Sequence, residues 1–131
     1  MARMDSNAIS KAIIGAAMRV HTELGPGLLE SAYRACLTHE LRLSGFKVEP
    51  ELRLPIEYRG LRLDAGYRID LLVENLVVVE LKVVKKLRAV HKAQLLAYLK
   101  LSRRQVGLLI NFHVAHLRHG ITRMVNNYKP D

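Results

Sequence analysis

The chain holds a single cysteine, Cys36, and no tryptophan. One cysteine excludes an internal disulfide and any cysteine-cluster metal site. The aromatics amount to five Tyr and two Phe, which does not suggest a stacking platform for single strands. No apolar run approaches the roughly 18–20 residues that a membrane span needs. The opening Met1-Ala2-Arg3-Met4-Asp5 lacks the apolar stretch of a signal peptide and carries an acid early, so the expected setting is reducing and cytoplasmic. Low-complexity tracts, internal repeats and linkers rich in Pro, Gly or Ser are absent, so residues 1–131 read as a single domain. Gly25-Pro26-Gly27 is not followed by Gly-Lys-Ser/Thr and is no phosphate loop. No serine sits in the frame of a nucleophile elbow. The six histidines fall at 21, 39, 91, 113, 116 and 119, a spacing that builds no zinc motif with the cysteine.

What the chain does have is one-sided charge. Lys+Arg number 21 against 12 Asp+Glu, a formal net charge of +9. The excess is local: residues 1–74 hold 10 basic and 10 acidic side chains, residues 75–131 hold 11 and 2. Lys82, Lys85, Lys86, Arg88, Lys92, Lys100, Arg103 and Arg104 follow one another with no acid between them. A solvated helix face and a surface that neutralises phosphates both fit such a run. Half of the residues are hydrophobic and 25% charged, which excludes global disorder.

Hydrophobic period divides the chain. Ile9, Ile13, Ala16, Ala17, Val20 and Leu24 recur at helical spacing, with Asp5 or Ser6 to cap the start and Gly25 to end the helix. Leu29, Ala32, Cys36, Leu37 and Leu41 give a second helix, from about Leu28 to Leu43. Val48 to Tyr58, with Pro50 and Pro55, suits an edge strand. Leu61–Leu63 and Tyr67–Val73 read as extended, and Glu74-Asn75 as a tight turn. Leu76–Val84 is the strongest strand, with a β-branched run fit for a central position. A third helix is expected over Val90–Leu101, a buried strand over Val106–Phe112, and a final pair over Ala115–Leu117 and Ile121–Val125. The order predicts an α/β sheet with helices on its faces.

Inside the strongest strand sit Glu80 and Lys82, two apart and therefore on one face. Burying them is costly unless each finds a partner. Folding back at Glu74-Asn75 brings Asp70 opposite Val79 or Glu80, with carboxylates within about 5 Å across the ladder. Like charges that close need a proton or a cation between them. Oxygen donors at this spacing suit a hard divalent metal, Mg²⁺ or Mn²⁺. A structural carboxylate pair and a Glu80–Lys82 salt bridge are the plainer alternatives.

Asp70, then Glu80-Leu81-Lys82 on the next strand, resembles the core of the PD-(D/E)XK nuclease superfamily, with Glu30 upstream and Gln94 downstream in the places where that superfamily often adds a glutamate and a glutamine. The stretch from His21 to Tyr33, with Gly27, Glu30 and Tyr33, resembles the signature of the GxxExxY proteins. So do Arg68–Val73, Val79–Lys82, His91–Leu99 and Gly107–Phe112, and the similarity runs from about Ala8 to Val125. The resemblance implies a nuclease-like (restriction-endonuclease-like) fold, a mixed central sheet flanked by helices. It implies a metal-dependent nuclease hydrolysing phosphodiester bonds, in DNA above all. The implied metal ligands for Mg²⁺ or Mn²⁺ are Asp70, Glu80 and the Leu81 carbonyl, with Glu30 as an outer ligand or water-holder. Lys82 orients the attacking water and Gln94 positions water or backbone. Contacts to nucleic acid are expected from Tyr33, Lys85, Lys86, Arg88, His91, Lys92 and Tyr98. For Tyr33, Glu30 and Gln94, core packing, helix-end stabilisation and a structural amide are the respective alternatives. No membrane partner is expected, and a homodimer or larger complex would supply recognition. The other class of function is a catalytically inactive nuclease-like module that binds nucleic acid or protein.

Overall fold

The computed structural model describes residues 4–129. Helix α1 spans Ser6–Leu24: the Asp5 carboxylate caps it by accepting from the Ala8 N–H at 2.8 Å, and Gly25, at φ 69°, ends it. Helix α2 spans Glu30–Leu43, so Glu30 is its first residue. The extended region splits at Leu54-Pro55 into β1 (Val48–Arg53) and β2 (Ile56–Tyr58), rather than running on as one strand. Strand β3 (Leu61–Leu63) pairs only with β2, making a hairpin arm apart from the main sheet. Next come β4 (Arg68–Val73), β5 (Val77–Lys82), helix α3 (Ala89–Ser102), β6 (Val106–Asn111) and β7 (Ile121–Val125). The expected final strand pair is half right. Residues Leu117–Gly120 form a 3-10 turn instead, and β7 pairs with β6.

The main sheet is mixed, in the order β1-β4-β5-β6-β7. Pro50 lies on an edge strand, where its missing donor costs little. Strand β5 is central, antiparallel to β4 and parallel to β6. A parallel pair needs a crossover, which α3 provides. Glu74 and Asn75, both with left-handed backbone, close the β4–β5 turn.

Side-chain alternation on β5 sorts the core. Val77, Val79 and Leu81 pack with α1 and α2 residues such as Ile13, Ala17, Tyr33 and Leu37. Val78 points the other way, with Leu95 and Leu99 of α3. Glu80 and Lys82 carry the parity of Val78 and fall at the end of β5 from which the chain enters α3. Each fully buried Val or Leu contributes roughly 1.5–3 kcal/mol, so the register that buries these sets also fixes where the charged pair emerges.

Candidate functional site

The β4–β5 ladder pairs Val73 with Val77, Leu72 with Val78 and Leu71 with Val79. The next pair in this register is Asp70 and Glu80, which settles the choice between Val79 and Glu80 opposite Asp70. Here side chains take over the bonding. The Asp70 N–H donates to Glu80 Oε1 at 3.0 Å, and the Leu81 N–H donates to Asp70 Oδ2 at 2.9 Å. Two carboxylates thus replace ladder carbonyls where the strands open.

Glu80 is 4% exposed. Burial first, then the Asp70 charge beside it, push its carboxyl up to about 8, against the weaker pull of the Asp70 N–H and Lys82. Glu30 is also raised, by burial and then by Asp70, and held back by Lys82 and Arg34. Glu30 therefore feels the same site although it comes from α2. Its place at a helix N-terminus, which favours the anion, does not outweigh burial.

Lys82 Nζ donates to Gln94 Oε1 at 2.8 Å. The expected alternative, a Lys82–Glu80 salt bridge, does not form among the described residues. The Tyr98 phenol is raised by burial and by Glu80, Tyr67 and Asp70, against the weaker pull of the Gln94 side chain. At 7% exposure Tyr98 is buried and offers little surface to a nucleic acid.

Tyr33 departs from the expectation of a nucleic-acid contact. It is fully buried, stacked on Phe112 with ring centroids 4.4 Å apart. Its hydroxyl donates to the Gly25 carbonyl and accepts from the Leu28 N–H. Helical spacing from Glu30 holds, but at Tyr33 the core lies closer than the site does. Tyr33→Phe is expected to cost about 1–2 kcal/mol of stability, read by urea denaturation, and to leave nucleic-acid affinity unchanged. A loss of affinity with stability intact would return Tyr33 to the interface.

The basic run divides. Lys85, Lys86 and Arg88 are exposed in the segment joining β5 to α3, directly after Lys82. His91 stands in the first turn of α3, where its Nδ1 accepts the Arg88 N–H at 2.8 Å and caps the helix. Lys92 is exposed one residue on. Lys100, Arg103 and Arg104 sit at the opposite end of α3, and Arg104 bonds Asn75 of the β4–β5 turn at 2.8 Å. A charge run continuous in sequence is split in space, because a 14-residue helix separates its halves. Only the first half flanks the carboxylates.

Two neighbours of the site went unnoticed in the sequence. Arg34 lies one helical turn after Glu30 and ion-pairs with both Asp70 and Glu51 at 3.2 Å; the i,i+4 spacing was the available signal. Asn111, 2% exposed and paired with Lys82 across β5–β6, binds the Val84 N–H and C=O at 3.1 and 2.8 Å. It anchors the chain as it leaves the site, and an asparagine in a wholly buried strand was the cue.

Among the described residues, no three His, Cys, Asp or Glu side chains converge into a ready-made metal cage. The donor set is smaller: two adjacent carboxylates, one so disfavoured as an anion that it holds a proton near neutral pH. A divalent cation would relieve that conflict by supplying the missing positive charge. Asp70 and Glu80 could hold it, joined by the Leu81 carbonyl and, at the margin, Glu30.

A family profile described as the PD-(D/E)XK nuclease superfamily matches residues 7–124. No curated protein and no solved structure matches the chain. No helix among the described residues is long and apolar enough to cross a membrane.

Proposed function

This chain belongs to the PD-(D/E)XK nuclease superfamily, and we propose that it is an active member, a divalent-metal-dependent nuclease cleaving phosphodiester bonds in DNA. We place it with the GxxExxY proteins on Gly27, Glu30 and Tyr33, and read residues 1–131 as one nuclease-like domain. The observation that carries the reading is the Asp70–Glu80 pair where β4 and β5 open, with Lys82 held beside it by Gln94.

Asp70, Glu80 and the Leu81 carbonyl would hold Mg²⁺ or Mn²⁺. The ion, when bound, polarises the scissile phosphate and makes a water acidic enough to attack. Lys82 keeps two of its three N–H donors free after bonding Gln94. They orient the attacking water and offset the charge that builds on the phosphoryl oxygens. The water oxygen bonds to phosphorus, the P–O bond to the leaving sugar oxygen breaks, and a proton from water ends on that oxygen. Glu30, its carboxyl raised by burial and by Asp70, stands at the margin to hold water. Lys85, Lys86, Arg88 and Lys92 contact the backbone on either side.

One observation favours the second reading, a binding module without catalysis. Arg34 already places a guanidinium on Asp70 Oδ1, a cation where a metal would compete. Titration with Mn²⁺ by calorimetry, beside cleavage of labelled DNA and RNA with Mg²⁺ or Mn²⁺, separates the two. A Mn²⁺ site and metal-dependent cleavage are expected. Salt-sensitive DNA binding with neither would overturn the nuclease reading in favour of the module.

A further inference from the structure

From Leu81 to Pro130 the sequence contains no Asp or Glu, and part of the resulting charge lies away from the carboxylate site. At the C-terminal end of α3 a cavity of about 440 Å³ is lined by Lys100, Arg103, Arg104, Gln105, Asn126 and Asn127. Every lining side chain among the described residues carries N–H donors, and none of these is a carboxylate. Arg104 is fixed in place: its guanidinium donates to the Ser102 carbonyl and to Asn75 Oδ1, both at 2.8 Å. Its Nε is buried and has no partner among the described residues, an N–H left over where each terminal nitrogen makes a bond. Lys100 and Arg103 are exposed and make no salt bridge or side-chain hydrogen bond among the described residues. Arg103 ends α3 in left-handed backbone, φ 57° and ψ 38°.

We propose that this cavity is a second phosphate-binding site, which holds the backbone of the same duplex that enters the carboxylate site. The inference rests on the nucleic-acid part of the proposed function but not on catalysis. Guanidinium, ammonium and amide donors around one concavity suit phosphate oxygens, and no described lining residue carries a carboxylate to repel them. Helix α3 has 14 residues and so spans about 20 Å. That corresponds to about six steps of a duplex at 3.4 Å per strand phosphate. Lys85, Lys86 and Arg88 hold one end of the helix and Lys100 and Arg103 the other. A duplex lying along α3 meets cations at both ends and no acid on the helix between them.

The test is binding of a labelled duplex of about 24 base pairs by fluorescence anisotropy, without metal, over a range of salt. The proteins compared are the wild type, Lys100→Gln/Arg103→Gln and, as a control for a positive charge lost away from this cavity, Lys11→Gln on the exposed side of α1. The double variant is expected to bind at least about tenfold more weakly at 0.1 M salt. Its log–log salt slope should fall by nearly two, at about 0.9 per lost phosphate contact. The control should follow the wild type. Parallel slopes for the wild type and the double variant would overturn the inference, whatever the protein cleaves. A wild type that binds with a steep slope yet cleaves nothing would remove the nuclease reading and leave this site standing. A wild type that binds no duplex at all would remove both. Unchanged melting temperatures show that the variants are folded.

Discussion

Asp70→Asn is expected to lower metal-dependent cleavage by about a thousandfold or more while the protein stays folded. The effect is large because Asp70 ties β4 to β5 where the cation would sit. Its Oδ2 accepts the Leu81 N–H, and its backbone N–H binds Glu80. An asparagine keeps an oxygen for Leu81 but loses the charge that would hold a cation. Groups that act as one unit in a transition state are lost together. Lys82→Ala removes a donor aimed at developing charge, a loss on the order of a hundredfold to a thousandfold. It leaves Gln94 to water, with little effect on stability. Initial rates on labelled duplex, with circular dichroism melting of each variant, provide the check. Should Asp70→Asn cleave as the wild type does, the observed activity has another source and the site assignment falls.

Glu80→Gln is expected to stabilise the metal-free protein at high pH and not at low pH. Burial and Asp70 raise the Glu80 carboxyl from 4.5 to about 8 in the folded state. Between those values the unfolded chain gives up this proton and the folded chain keeps it. The folded state then binds more protons, so stability falls as pH rises from about 4.5 to about 8 and levels off beyond. A glutamine is a permanent copy of the protonated acid: its oxygen still accepts the Asp70 N–H and its amide can donate to Asp70. At about 1.4 kcal/mol per unit, the variant gains a few kcal/mol at pH 9, several degrees of melting temperature, and almost nothing at pH 4.5. Equal gains at both pH values, measured by thermal melting in EDTA, would remove the cause assigned here. The same proton has to leave when a divalent ion binds. Mn²⁺ affinity should therefore climb by about tenfold per pH unit up to about pH 8. Glu80→Gln should lose both the binding and its pH dependence.

These expectations divide according to how they could be known. Asp70, Glu80 and Lys82 were legible as a constellation because strand alternation and a tight turn at Glu74-Asn75 suffice to bring them together. Local periodicity also defined the three helices to within a residue or two and the central place of the Val77–Lys82 strand. What local pattern could not decide has one physical origin. Tyr33 shares a helix face with Glu30, but whether that face meets the core or the site is decided by Phe112, far along the chain. The basic residues from Lys82 to Arg104 are neighbours in sequence, but α3 carries them to opposite ends of the sheet. Arg34 could be placed near Glu30 by spacing, yet its ion pair with Asp70 needs α2 docked on the sheet.

By itself the sequence determined the kind of chemistry available: two acids and a lysine on adjoining strands, an excess of positive charge, and no cysteine cluster or phosphate loop to do something else. Those properties depend on residue type and on periods of two and 3.6, which are local. Only the tertiary structure decided which carboxylate is buried deeply enough to keep its proton, which tyrosine is packing, and where the +9 sits. Desolvation and proximity belong to the folded whole, because water is excluded, and distant charges are brought together, only when separate elements close around the same point.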